Sequence, residues 1–501
     1  MSGARLTRRT VLLGTGAAAL TVACGRPQAT VPADVVRTAS GPVRGLRRDT
    51  GFAFLGIPYA QPPAGALRFA APVAPRPWTE TLDCTRYGPT AQRKPLTPVT
   101  TIPEPSIPGD AVLNLNVFTP DHSSGAKLPV LVWIHGGGFV AGSAASPWYD
   151  GASFNRDGVV VVSIGYRLGL EGFLHVYGAP DNRAVLDWIA ALTWVRDNIA
   201  AFGGDPGKVT VAGQSAGGGA VWALMAAPSA RGLFRAGICA SGALTQPNPR
   251  AVALTATSTF TRQTGVPATA AALQDLSDDR RQELQSALGA PGPGSATSAV
   301  LTLAPFADGE LIPESTATLL TTGTGADVPL LLGFTRHEFT MAARSQPAAA
   351  SIDGAALDRY RPAYPGLAPA DLTGQVISDI MVRAPAYRVA EDHTRRGRPT
   401  WLYEFAWTST APAYSGMAAH CLDLPFAFDL LRAQGVSAAL GDTPPQSLAD
   451  AVHRSWVAFI RDGDPGPTWP RYTLDRRDTM VWTDHPQVTA DPFARQRPLW
   501  L

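Results

Sequence analysis

Residues 209–226 read Val-Thr-Val-Ala-Gly-Gln-Ser-Ala-Gly-Gly-Gly-Ala-Val-Trp-Ala-Leu-Met-Ala. Residues 209–212 are apolar or β-branched and suit a buried strand, and residues 220–226 suit a helix. Between them Gly213-Gln214-Ser215-Ala216-Gly217 is the only Gly-x-Ser-x-Gly in the chain. Glycines on both sides of a tight strand-to-helix turn let backbones approach where side chains would clash. Ser215 then stands at a helix N-terminus, where unpaired N–H groups stabilise developing negative charge. That suits attack on a carbonyl. A glycine-rich turn that merely packs a helix on a sheet is the alternative, so the surrounding sequence has to decide.

Upstream, His135-Gly136-Gly137-Gly138-Phe139 follows the apolar run 130–134. Three successive glycines present amides with no side chain to shield them. In an acyl-transfer enzyme such a loop supplies oxyanion donors, completed by the amide after the nucleophile, here Ala216.

From residue 128 onward, continuous apolar runs alternate with glycine-rich turns or helical stretches, as expected of parallel strands buried on both faces. Strands are expected at 130–134, 159–164, 209–212, 236–240, 328–333 and 401–405. The clearest helix is 184–201, where Val185, Leu186, Ile189, Leu192, Val195 and Ile199 recur at helical spacing before Gly203. Residues 35–69 read as antiparallel strands and turns, and the stretch 89–110 as a proline-rich loop. Two long excursions, about 245–327 and 340–400, are too long for plain loops and are assigned to a helical cap over the carboxyl edge of the sheet. The expected fold is α/β, a mostly parallel central sheet with flanking helices, in one elaborated domain over 35–501.

In a fold of this kind the acid and then the base follow the nucleophile in the chain. Glu338, a few residues past the strand 328–333, is the acid, with Asp308 the weaker candidate. His393, His420, His453 and His485 lie late enough to serve as base. His393 sits among charged residues, His453 on a helical stretch beside Arg454, and His485 near the C-terminus. His420 lies in a loop beyond what reads as the final strand, before Leu424-Pro425-Phe426, and is the base.

Of the 501 residues 45% are hydrophobic, enough for a large core. The formal charge of +2 and the lack of a basic run beyond the first ten residues argue against nucleic acid and for a neutral small-molecule substrate. Cys24, Cys84, Cys239 and Cys421 show no zinc or Cys-x-x-Cys spacing. No metal or organic cofactor is expected.

At the N-terminus Arg5, Arg8 and Arg9 precede an apolar, acid-free stretch, 11–23, too short to span a bilayer comfortably. Residues 1–23 resemble a bacterial twin-arginine export signal, with an ordinary secretory signal as the alternative. Residues 24–34 form a spacer, and Cys24 after Ala23 resembles a lipoprotein processing site, although Thr21 stands where Leu is usual. The expected product is exported from a bacterial cell, secreted or lipid-anchored at Cys24.

Several long strings carry a family resemblance: Phe54-Leu55-Gly56-Ile57-Pro58-Tyr59-Ala60, Leu115-Asn116-Val117, the triple-glycine loop and Gly165-Tyr166-Arg167-Leu168-Gly169. Residues 198–206, the Ser215 turn and Trp456-Val457-Ala458-Phe459 extend it. With these the chain resembles the type-B carboxylesterases, α/β-hydrolases that include cholinesterases, bacterial esterases and some fungal lipases. The resemblance implies a serine carboxylesterase working through an acyl-enzyme. It implies a triad of Ser215, Glu338 and His420, an oxyanion hole of Gly137, Gly138 and Ala216, and Ser241 holding the acid. A lipase acting at lipid interfaces and a catalytically silent, neuroligin-like binding protein are the rival readings.

The chain departs from that family in two places. Gln214 stands where many relatives carry Glu, which weakens electrostatic pull on cations. Thr90 and Val112 stand where relatives often have a cysteine pair, and the intervening loop has no Trp or Tyr, so choline esters are poor substrates.

Overall fold

The computed structural model describes residues 34–91, 102–123, 125–288, 301–323, 325, 327–345 and 352–500. Asp34–Leu501 forms one compact unit; the other, Met1–Ala33, lies outside the described residues, and with it the export signal, Cys24 and nearly all of the spacer.

Strands run in chain order as β1 (Val35–Arg37), β2 (Pro42–Arg44), β3 (Leu46–Arg48), β4 (Gly51–Pro58), β5 (Leu82–Asp83), β6 (Asn114–Thr119) and β7 (Leu128–Ile134). Then come β8 (Val160–Ile164), β9 (Gly204–Gln214), β10 (Ala236–Ala240), β11 (Leu330–Thr335), β12 (Thr400–Phe405), β13 (Thr479–Trp482) and β14 (Gln487–Thr489). β1, β2 and β5 make a small sheet, and the others an 11-stranded sheet in the order β14-β13-β12-β11-β10-β9-β7-β8-β6-β4-β3. From β8 across to β13 every pairing is parallel; antiparallel strands close both edges.

The central strands are buried on both faces, and their side chains alternate between two cores. On β7, Val130, Val132 and Ile134 enter one core while Leu131 and Trp133 enter the other. On β11 and β12, Leu330, Leu332 and Phe334 oppose Trp401, Tyr403 and Phe405 in the same way. The helix Arg183–Asn198 turns Val185, Trp188, Leu192 and Val195 inward and ends through a 3-10 turn at Gly203, φ 80°.

Expected strand ends lie within two residues of those observed, with one exception: 209–212 is the end of the 11-residue β9. Asp205-Pro206-Gly207 reads as a turn, yet Gly204 already pairs with Leu128 across a register irregularity. The expectation that the strands end before His420 is corrected, because β13 and β14 follow it. β13 is four residues long and β14 three, and neither carries a long apolar run.

The cap assignment is also corrected in part. Within 245–327 the helices are Arg250–Thr264, Ala270–Leu273, Asp278–Ser286 and Thr316–Thr322, with residues 289–300 outside the description. Within 340–400, however, the helix Ala384–Arg395 packs directly on β11 and β12. Its Ala386, Val389 and Ala390 join the core, so it belongs to the layer flanking the sheet.

Strand register positions the site. Ile134 pairs with Gly213, Gln214 with Ala240, and Ala240 with Gly333. The carboxyl ends of β7, β9, β10 and β11 therefore lie side by side, and the segments that follow them carry the triple glycine, Ser215, Ser241 and Glu338.

Candidate active site

Ser215 has φ 58° and ψ −123°, a conformation costly for any residue with a Cβ. Close packing holds it there. A Cβ on Gly213 would lie 2.3 Å from the Gly217 backbone, and one on Gly217 would lie 2.0 Å from the Ile134 carbonyl oxygen. Behind the turn, the helix Ala216–Ala226 is buried on all sides, so it anchors the turn as a rigid unit.

The triple-glycine loop is equally constrained. Gly137 and Gly138 have φ of 105° and 60°, and Val140 and Ala141 donate to the Gly137 carbonyl at 3.1 and 2.9 Å. A Cβ on Gly137 would lie 2.2 Å from Ala141 O. At the root of the loop the His135 ring stacks on Tyr166, whose hydroxyl donates to His135 O at 2.9 Å. Burial pushes His135 down to about 4, so the ring is neutral. Among the described residues nothing accepts from the amides of Gly137, Gly138 or Ala216. The loop reaches the nucleophile turn at Gly136, where a Cβ would lie 3.1 Å from Ser215 Cβ.

Glu338 is 2% exposed and fully engaged. Its Oε1 accepts from Ser241 Oγ and from the Thr335 amide, each at 2.7 Å, and its Oε2 lies 2.5 Å from His420 Nδ1. The two loops are also joined by backbone: His420 N donates to Glu338 O at 3.0 Å, His337 N to Ala418 O at 2.9 Å, and Ala418 N to His337 Nδ1 at 3.0 Å. The Phe339 ring packs on the imidazole at 4.7 Å. Burial opposes charge on His420 while the Glu338 carboxylate bonded to Nδ1 favours it, and Cys421, itself pushed up by burial, stays an uncharged thiol.

Acid and base therefore meet, and Ser241 holds the acid. The base reaches the nucleophile's neighbour: His420 Nε2 is 3.1 Å from Gln214 Nε2, while Ser215 Oγ has no hydrogen-bond partner among the described residues. Catalytic hydrogen bonds commonly close only when substrate is bound.

The other candidates sit elsewhere. Asp308 accepts from Asn182 and from the amides of Glu310 and Ile312, which makes it a turn residue. His393 is buried against Thr400 and pushed down to about 4 by burial; His453 bridges Ala427 O and Asp157; His485 is exposed. Cys84, Cys239 and Cys421 are buried free thiols. Where relatives often carry a cysteine, Thr90 pins its loop through Ile107 by a backbone bond of 3.0 Å and a hydroxyl bond of 2.9 Å.

Asp423 was not singled out from sequence. It is buried behind the pair, takes a 2.9 Å hydrogen bond from Tyr403, and leaves Oδ1 without a partner. Burial, then the charge of Glu338, push it up to about 6. The available signal was its position, three residues past His420 at the head of the helix Leu424–Ala427.

A serine held on a strained strand-to-helix turn, beside free amides and an acid–imidazole pair on a parallel sheet, defines an α/β-hydrolase of the serine ester hydrolase class. The Carboxylesterase family profile matches residues 32–363 and 368–500, and the chain belongs to that family and hydrolyses carboxylic esters. It is similar to the para-nitrobenzyl esterase of Bacillus subtilis (strain 168), 34% identical with 92% of this chain and 97% of the relative covered. It is also similar to the phenmedipham hydrolase of Pseudarthrobacter oxydans, 32% identical with the same coverage. Among solved structures, a Geobacillus stearothermophilus carboxylesterase superposes with a TM-score of 0.81 at 31% identity, covering 93% of this chain and 100% of that one.

Proposed function

We propose that Ser215 is the nucleophile, His420 the general base and Glu338 the group that orients it and stabilises the imidazolium once formed. The amides of Gly137, Gly138 and Ala216 receive the oxyanion. His420 takes the Ser215 proton, Oγ bonds to the ester carbonyl, and the alcohol leaves with the proton returned by the imidazolium. Water then repeats the sequence and frees the acid. The observation that carries this assignment is the buried Glu338–His420 pair, together with the Gly137, Gly138 and Ala216 amides that have no acceptor among the described residues on the loop and turn after β7 and β9.

For the substrate, we propose small neutral esters, with benzyl esters foremost. The name of the para-nitrobenzyl esterase relative supports this, as does the neutral carboxamide of Gln214 beside the base. A panel of nitrophenyl esters of rising acyl length tests it. Turnover is expected to be highest for short acyl chains, below micelle formation, and about 10⁴-fold lower or less in Ser215→Ala. A rate that rises only above the micelle threshold would make the protein a lipase; undiminished turnover in Ser215→Ala would remove the nucleophile assignment.

We also propose export through the Arg8-Arg9 signal, with Cys24 as a lipid attachment point. The arginines ahead of the apolar stretch 11–23 support it. An Arg8→Lys, Arg9→Lys variant is expected to stay in the cytoplasm; unchanged export would discard the twin-arginine route.

A further inference from the structure

Gln214 ends β9, is buried, and lies against both the base and the oxyanion loop. Its Nε2 is 3.1 Å from His420 Nε2, and a Cβ on Gly136 would come within 2.9 Å of its Oε1. The carboxamide therefore lies against the Gly136 backbone with its nitrogen at the imidazole. Glu338 Oε2 only accepts, so His420 Nδ1 carries the proton that joins them, and Nε2 of the neutral ring presents a lone pair. The group that fits a lone pair is the amide N–H of Gln214.

We propose that Gln214 is a positioning residue whose N–H caps the Nε2 lone pair of His420 in the empty site, holding the ring in its proton-accepting tautomer beside Ser215 and opposing its protonation until substrate engages. This rests on the triad assignment above. When the base acts, the O–H bond of Ser215 breaks, an N–H bond forms at Nε2, and the oxygen's electron pair passes into the new bond to the acyl carbon. The new Nε2–H would then face the amide N–H, donor against donor. The carboxamide has to turn its oxygen to the ring or give way.

A carboxylate of the same shape would do the opposite, accepting from Nε2–H and favouring the imidazolium. The other groups facing the ring are Glu338 after β11, Cys421 beside it in the chain, Asp423 at the head of the helix Leu424–Ala427, and the uncharged Phe339 ring. Arg383, from the helical segment Asp379–Arg383, acts on Glu338. None of them changes when residue 214 is replaced, so a difference between variants reports on Gln214.

The test is the pH profile of kcat/KM in the full chain and in Gln214→Glu, with competent sites counted by organophosphate titration. The acid limb is expected to rise by about one pH unit or more in Gln214→Glu, so that below the limb the rate per competent site falls roughly tenfold or more. Gln214→Met, similar in length but without a donor, is expected to move the limb up by less and to lower kcat several-fold at unchanged KM. A Gln214→Glu limb that coincides with the parent's, or lies below it, overturns the proposal. If that variant does not fold, an unmoved limb and kcat in Gln214→Met overturn it instead. The parent's labelling separates the two levels: no label on Ser215 removes the triad assignment and this proposal with it, whereas a labelled Ser215 with coincident limbs removes only the role of Gln214.

Discussion

The two sides of the site are held by different means. On the nucleophile side, residues 213–217 and 136–138 are fixed by backbone: positive φ, glycines pressed against carbonyls, and a helix buried all round. On the base side, Glu338 and His420 stand 82 residues apart in sequence and are joined by side-chain bonds and a short ladder between two loops. The first side is preorganised by sterics and the second by hydrogen bonds. A lost methylene-sized clearance should therefore damage the first, and a lost charge the second.

The largest effect separating the two should come from Glu338→Gln. It keeps the shape but removes the charge that stabilises the imidazolium, and kcat is expected to fall by roughly 10³–10⁴ while KM moves little. A drop below about tenfold would mean that the backbone ladder alone orients His420. Next comes Gly137→Ala, which places a methyl 2.2 Å from Ala141 O at a φ of 105°. Loss of one oxyanion donor corresponds to about 10²–10³ in kcat, with acylation by an organophosphate slowed in parallel. Parent-like kinetics there would show that the loop deforms freely and is not held by sterics.

The smallest effect is expected from Asp423→Asn, read in stability. Asp423 is ionised above about 4 in the unfolded chain but only above about 6 when folded, because burial and Glu338 oppose its charge. Its neutral form is favoured in the fold, so the parent loses stability as pH rises from 4 to 6, and Asn has no such charge to lose. The melting temperature of the variant relative to the parent should climb across that window. A constant difference would contradict it.

The same contrast explains what was legible in the sequence. The Ser215 turn and the triple glycine are contiguous strings whose residue types are dictated by sterics, and both sit at strand ends as read. Glu338 and His420 were reached by chain order and by resemblance, and they do meet. What the strings could not carry is how the loops run between elements. The contact of Gln214 with His420, the ladder through His337 and Ala418, and the buried Asp423 all depend on that path. The flanking helix Ala384–Arg395 reads as cap for a related reason: its small apolar face, built on alanines, resembles the alanine-rich segments around it.

The most direct measurement is mass spectrometry of the protein after stoichiometric reaction with an organophosphate. One adduct per chain, on the peptide carrying Ser215 and accompanied by complete loss of ester hydrolysis, is the expected result. Hydrolysis that persists with Ser215 fully modified, or inactivation with the adduct on another residue, would contradict the account.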